Sequence, residues 1–114
     1  MTDQESESPT KNILEQFSQE YKKSIPDKLN KIREFLDQLS VKMDEENLKA
    51  LRMHIHKIAG SAGTYGFTKV SEISIKFEKE ILDRLDELKE KDGDPRWVEK
   101  FQMYYDHIKE EFKQ

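Results

Sequence analysis

The segment HKIAGSAGTYGF, residues 56–67, combines one histidine with three glycines in a sequence context typical of a helix. At about 100° of rotation per residue, Gly60 and Gly63 project from a helix in nearly the same direction as His56. Glycine inside a helix costs about 0.5–1 kcal/mol relative to alanine, so two glycines beside one imidazole indicate that a large group must reach the ring. Close packing of a neighbouring helix would explain the same glycines, and their spacing does not choose between the two interpretations.

Apolar residues recur at helical spacing on both sides of this segment, and no stretch has a convincing strand pattern. We predict five helices: Thr10 to Lys23, a second from Ser24-Ile25-Pro26-Asp27 to about Val41, a third from Asp44 to near Gly66, a fourth from Thr68, and a fifth from Asp94-Pro95. Ser24, Asp44 and Thr68 are the predicted capping residues, and Gly66 is the predicted stop of the third helix.

The connections between these helices are short, which favours antiparallel neighbours. The predicted fold is therefore all-α, an antiparallel up-down four-helix bundle with an additional short N-terminal helix. The apolar stripe of the N-terminal helix consists of Ile13, Leu14, Phe17 and Tyr21. The domain is expected to span residues 10–114, after a flexible acidic tail at residues 1–9.

Composition excludes several classes of function. The chain has 114 residues, enough for one domain, and its formal net charge of -4 argues against a nucleic-acid binder. It has no cysteine, which rules out disulfides and zinc–thiolate sites. No run approaches the roughly 20 apolar residues of a membrane span, and the first residues do not resemble a signal peptide. We therefore expect a cytoplasmic protein that does not associate with membranes.

The three histidines do not form a metal site in the predicted helices. His54 and His56 are two residues apart, which on a helix turns them about 200° from each other, so they cannot share an ion. His107 has no partner at ligand spacing. His56 lies roughly 120° from the middle of the apolar row of its helix and His54 roughly 80°, so His56 should be the more exposed.

The exposed face beside His56 is locally basic although the whole protein is acidic. A phosphoryl group and an apolar contact with a partner would both suit this face. The alternative is that these side chains simply keep a helix surface in solvent. The residues concerned are Lys49, Arg52, Met53 and Lys57.

The sequence from His56 resembles the motif of histidine-phosphotransfer (HPt) domains. That motif has a histidine, then an apolar residue, a glycine, a small residue and a second glycine at fixed distances. Here these are His56, Ile58, Gly60, Ser61 and Gly66, and the apolar-Glu pair expected about twenty residues later is Phe77-Glu78. The sequence departs from the family at Ala59, where lysine is common. The cation could instead come from Arg52, Lys57, Lys69 or Lys76.

The resemblance implies that His56 accepts a phosphoryl group and that Gly60 and Gly63 let a partner approach it. The implied partners are receiver domains of response regulators or of hybrid sensor histidine kinases. The chain itself would need no metal or cofactor, since Mg²⁺ belongs to the receiver, and it would be a monomeric carrier without kinase or hydrolase activity. A helical adaptor that binds a receiver or kinase without accepting phosphate is the competing interpretation, and Ala59 is the feature that supports it.

Overall fold

A computed structural model describes residues 9–113, with side chains from Asn12 to Lys113. This part of the chain contains four helices and no strand: α1 (Pro9–Val41), α2 (Glu45–Ala62), α3 (Thr68–Glu87) and α4 (Trp97–Phe112). The all-helical prediction is confirmed. Residues 1–8 of the predicted tail lie outside the described residues, and Pro9 already belongs to α1.

The prediction of a separate N-terminal helix is wrong, because α1 continues through Pro26. The hydroxyl of Ser24 does not cap a new helix but donates to the carbonyl of Tyr21 at 2.6 Å. Pro26 has no N–H for the carbonyl of Lys22, which weakens the helix locally. Apolar side chains on both sides of the proline pack into one core, among them Tyr21 before it and Ile32 after it, and this burial offsets the loss.

The N-terminal end of α1 extends past the rest of the bundle. Its predicted stripe is buried only at Tyr21, while Ile13, Leu14 and Phe17 are exposed by 46%, 61% and 48%. The ring of Tyr21 stacks on Tyr65 in the connection after α2, with 4.5 Å between the ring centroids. α4 ends near this level of α1, so the earlier residues of the stripe do not reach the core.

The core is built from one apolar row on each helix. α2 and α4 each pack against both α1 and α3. The row predicted on α2 is buried at Leu48, Leu51, Ile55, Ile58 and Ala62, while Ala59 is half-buried. The buried apolar residues are Tyr21, Ile32, Leu36, Leu39, Leu48, Leu51, Ile55, Ile58, Ala62, Val70, Phe77, Ile81, Phe101, Tyr105, Ile108 and Phe112.

Asp44 caps α2 as predicted, because its side chain accepts a hydrogen bond from the Asn47 N–H at 2.9 Å. Thr68 does not cap α3. It is the first residue of that helix, and Phe67, which precedes it, makes no side-chain capping bond. α4 begins at Trp97, two residues after the predicted Asp94-Pro95 start, which lies in the preceding turn.

Two glycines have positions that side chains would disturb. Gly66 has a φ of 92°, the left-handed conformation that reverses the chain after α2. α2 itself ends at Ala62, earlier than predicted, and the Ala62 carbonyl accepts from the Phe67 N–H at 2.8 Å. At Gly93, a Cβ atom would collide with the backbone carbonyl of Met43, so glycine lets the two connections at this end of the bundle touch.

Candidate functional site

His56 lies on the exposed side of α2, where its side chain is 58% exposed. Its Nδ1 atom lies 2.9 Å from Oε2 and 3.2 Å from Oε1 of Glu78 on α3. A carboxylate can only accept hydrogen bonds, so in this pair Nδ1 carries the proton and donates it to Glu78. The neutral imidazole then has its free lone pair on Nε2, the nitrogen that can act as a nucleophile.

Glu78 also binds Arg52, which lies one helical turn before His56 on α2. The Arg52 Nε–H donates to Oε2 of Glu78 at 2.8 Å. Residues four apart lie on the same face of a helix, so Arg52 and His56 reach the same carboxylate. The Glu78 side chain is only 14% exposed, which means that two donors hold a largely buried charge at the base of an exposed ring.

The two glycines of the motif have different surroundings. A Cβ atom at Gly60 would meet nothing within 4 Å, so no neighbouring helix explains this glycine. A Cβ atom at Gly63 would lie 3.5 Å from the Ser71 hydroxyl of α3, an ordinary contact. The surface beside His56 is therefore uncovered at Gly60, whereas Gly63 borders the α2–α3 contact.

Residues 16–111 match the family model of the Hpt domain. The chain belongs to the Hpt domain family. Hpt domains take part in phosphorelays, in which they carry phosphoryl groups on histidine and interact with receiver domains. No curated protein and no solved structure matches the chain at a significant level.

The basic residues predicted beside His56 do not all contact the site of this Hpt domain. Arg52 is brought into contact with Glu78, as described above. Lys49 instead pairs with Glu45 at 2.7 Å, two turns away from His56. Lys57 is exposed next to His56 in the chain, and Met53 is 48% exposed. Arg52 is thus the predicted basic residue that the structure links to His56, through a carboxylate.

Sequence reasoning missed two exposed apolar residues of α3 on either side of Glu78. Ile75 and Leu82 are 58% and 42% exposed, and they lie about one turn before and one turn after Glu78. Both fall outside the buried row of α3. The sequence does show that they lie three and four residues from Glu78. This spacing points to the site only once Glu78 is known to contact His56.

His54 points away from this site, toward α1. Its Nε2 lies 3.0 Å from the backbone carbonyl of Lys28, and its ring centroid lies 5.7 Å from that of Phe35. His54 is half-buried and His56 exposed, which confirms the predicted difference. Burial lowers the pKa of His54, and the charges of Lys28, Lys31 and Lys57 act in the same direction, while the bond to the Lys28 carbonyl opposes them.

The lowered pKa of His54 predicts acid-sensitive stability. The unfolded chain binds a proton at the ordinary pKa of 6.5 and the folded protein only at lower pH. The contribution of His54 is therefore fully present above that value and is lost as pH falls from 6.5 toward the lowered pKa. We expect the free energy of unfolding, measured with urea between about pH 8 and 5.5, to fall less in His54→Gln than in the wild type.

The matched control is His107→Gln, which makes the same replacement at an exposed histidine of α4 and shows how much the slope changes when any one histidine is removed. An unchanged slope in His54→Gln would show that other groups cause the acid sensitivity.

Among residues 12–113, no three side chains of the types that bind metals come together. His54 and His56 face different helices, α1 and α3. No helix in the described part of the chain is long and apolar enough to cross a membrane.

Proposed function

We propose that this Hpt domain accepts a phosphoryl group on His56 from the phospho-aspartate of a receiver domain and passes it to the aspartate of a second receiver. The observation that carries the proposal is the exposed His56 ring, whose Nδ1 is held by Glu78 so that Nε2 is the free nitrogen. The family supplies the general chemistry, and this contact supports the assignment of the residue and the atom.

The transfer step would form one bond and break one. The Nε2 lone pair attacks phosphorus, an Nε2–P bond forms, and the bond from phosphorus to the aspartate oxygen breaks, which releases the receiver carboxylate. The imidazole keeps its Nδ1 proton and becomes positively charged. Glu78 stabilises this charge across the Nδ1 hydrogen bond. Return of the phosphoryl group to a second aspartate reverses the same changes.

The surroundings of His56 suit a docked receiver. The surface is open at Gly60, Met53 is exposed about one turn before His56, and Ile75 and Leu82 are exposed about one turn to either side of Glu78. Lys57 is exposed and follows His56 in the chain, and its positive charge would complement the acidic, Mg²⁺-binding centre that the receiver would contribute. Positioning and electrostatics provide most of the catalysis in phosphoryl transfer, and the charge stabilisation would come mainly from the receiver and its ion.

The contacts between helices support an up-down, antiparallel arrangement of the bundle. Tyr21 hydrogen-bonds to Ser61 and the Lys28 carbonyl to His54, so the residue numbers of α1 and α2 run in opposite directions. We propose that the relay operates in the cytoplasm and that this carrier is a monomer. Its partners would be receiver domains of response regulators or of hybrid sensor kinases.

One observation favours a second function. Ala59 replaces the lysine that is common in the family, and an adaptor that binds a receiver without accepting phosphate would not need that charge. The backbone of Ala59 is held at the α2–α3 contact, where its carbonyl accepts from the Ser71 hydroxyl at 2.7 Å. This contact is structural and does not replace the missing charge.

A transfer assay separates the two functions. The protein is incubated with each purified receiver domain of the same genome, phosphorylated beforehand, and is then separated and analysed for bound phosphate. We expect acid-labile, base-stable phosphate on the protein with at least one receiver. A receiver that binds tightly while none transfers phosphate would support the adaptor and contradict the proposed carrier.

A further inference from the structure

One oxygen atom of Glu78 serves two donors. Oε2 accepts from the Arg52 Nε–H at 2.8 Å and from His56 Nδ1 at 2.9 Å. Within residues 12–113, the ion pairs of Glu78 are those with Arg52 and His56. The Arg52 side chain is itself only 35% exposed, so this pair is shielded from solvent more than most surface ion pairs.

We propose that Arg52 is a positioning residue, which acts through Glu78 to keep the Nδ1–H tautomer of His56 and thus to leave Nε2 free for attack. This inference rests on the proposed function, because it assigns a task to Arg52 in the phosphoryl transfer. Arg52 touches neither the phosphoryl group nor the reacting nitrogen in this assignment. Its contact is with the carboxylate that orients the ring.

The physical reason lies in what Glu78 could do without Arg52. A carboxylate with two charge-assisted bonds to one oxygen has a fixed orientation, whereas one held by a single histidine can rotate away from the ring. Once the carboxylate has rotated away, no acceptor holds the proton on Nδ1, and the ring can carry it on Nε2 instead. The exposed nitrogen then lacks its lone pair for part of the time. The planar donor of Arg52 keeps Glu78 in the orientation in which it accepts from Nδ1.

The geometry also separates Arg52 from the neighbouring lysines. Lys49 lies on the same helix, but it pairs with Glu45 at 2.7 Å and not with Glu78. Lys49 is therefore a matched control. It is a cation of α2 that forms an ion pair, but this ion pair does not involve Glu78 or His56.

The test uses Arg52→Met, which keeps a long side chain and removes the charge and the donors. The first measurement is a long-range ¹H–¹⁵N NMR spectrum of the histidine rings without a receiver, at about pH 8, above the ordinary pKa of histidine. We expect His56 to have the Nδ1–H tautomer in the wild type and a mixture of both tautomers in Arg52→Met. Arg52→Lys, which keeps the charge but not the planar donor, should give an intermediate result. Lys49→Met should match the wild type.

The second measurement is the rate of transfer from a phosphorylated receiver. We expect a fall of about tenfold in Arg52→Met, as for the loss of one charge-assisted hydrogen bond. Glu78→Gln should reduce the rate at least as much, because its amide can donate to Nδ1 and favour the Nε2–H tautomer. The double variant should be no slower than Glu78→Gln, since Arg52 acts through the residue that is already changed.

Wild-type tautomer populations and transfer rate in Arg52→Met would overturn the inference, as would additive effects in the double variant. A merely structural role would lower the melting temperature without changing the tautomer. If the wild type accepts no phosphate from any receiver, the proposed function fails, and the NMR result still decides whether Arg52 controls the ring of His56.

Discussion

We expect the His56→Gln variant to take up no phosphate from a phosphorylated receiver, while His54→Gln takes it up as the wild type does. Glutamine has no nitrogen lone pair that can attack phosphorus, so the loss should be complete. His54 is half-buried, and its Nε2 lies 3.0 Å from the Lys28 carbonyl, which directs this ring toward α1 rather than toward a docked receiver. The measurement is radiolabelled phosphate on each variant after incubation with the same receiver.

Folding provides the control for this pair of variants. His56 is 58% exposed, so its replacement should leave the melting temperature close to that of the wild type. The His54 variant loses a part-buried hydrogen bond and should be the less stable of the two. Phosphate retained on folded His56→Gln would place the acceptor elsewhere and reject the proposed site.

The second large effect is expected at Gly60. We expect Gly60→Leu to lower the rate of transfer at least about tenfold, because a side chain there would hold the receiver away from the ring, and small errors of position slow such reactions strongly. The isolated protein has room for the change, since a Cβ atom at Gly60 meets nothing within 4 Å. Leucine is the better helix former by roughly 0.5–1 kcal/mol, so the folded state should gain rather than lose stability.

Two further variants make the Gly60 result specific. Gly60→Ala adds only a methyl group and should slow transfer less than leucine does. Gln38→Leu places the same side chain on an exposed position of α1, away from the α2–α3 surface, and should leave transfer unchanged. A folded Gly60→Leu protein with the wild-type transfer rate would show that this glycine is not needed for docking.

The helices that follow Val41 could be predicted well because their pattern is local. The row from Leu48 to Ala62 repeats at helical spacing, so the residues that belong to it can be read from this segment alone. The predicted cap at Asp44 is confirmed for the same reason, as its bond to the Asn47 N–H spans three residues. The start of α3 was predicted at the right place, but Thr68 is the first residue of the helix and not its capping residue.

The break predicted at Pro26 shows where local rules fail. Ser24 and Pro26 favour a helix start when only neighbouring residues are considered. The core on both sides of the proline instead favours one continuous helix. The same long-range packing decides that Tyr21 is buried and Phe17 is not, although both belong to one apolar stripe.

The helical fold, the exposed position of His56 and the shared direction of His56 and Gly60 could all be predicted from the spacing of residues along the chain. These properties follow from rotation along a single helix. The packing of α2 against α3 was needed to show that Glu78 accepts from both His56 and Arg52, and that no neighbouring group covers Gly60. The contacts of Glu78 join α2 to α3 across 22 and 26 residues of sequence, so they depend on how the two helices pack in the core.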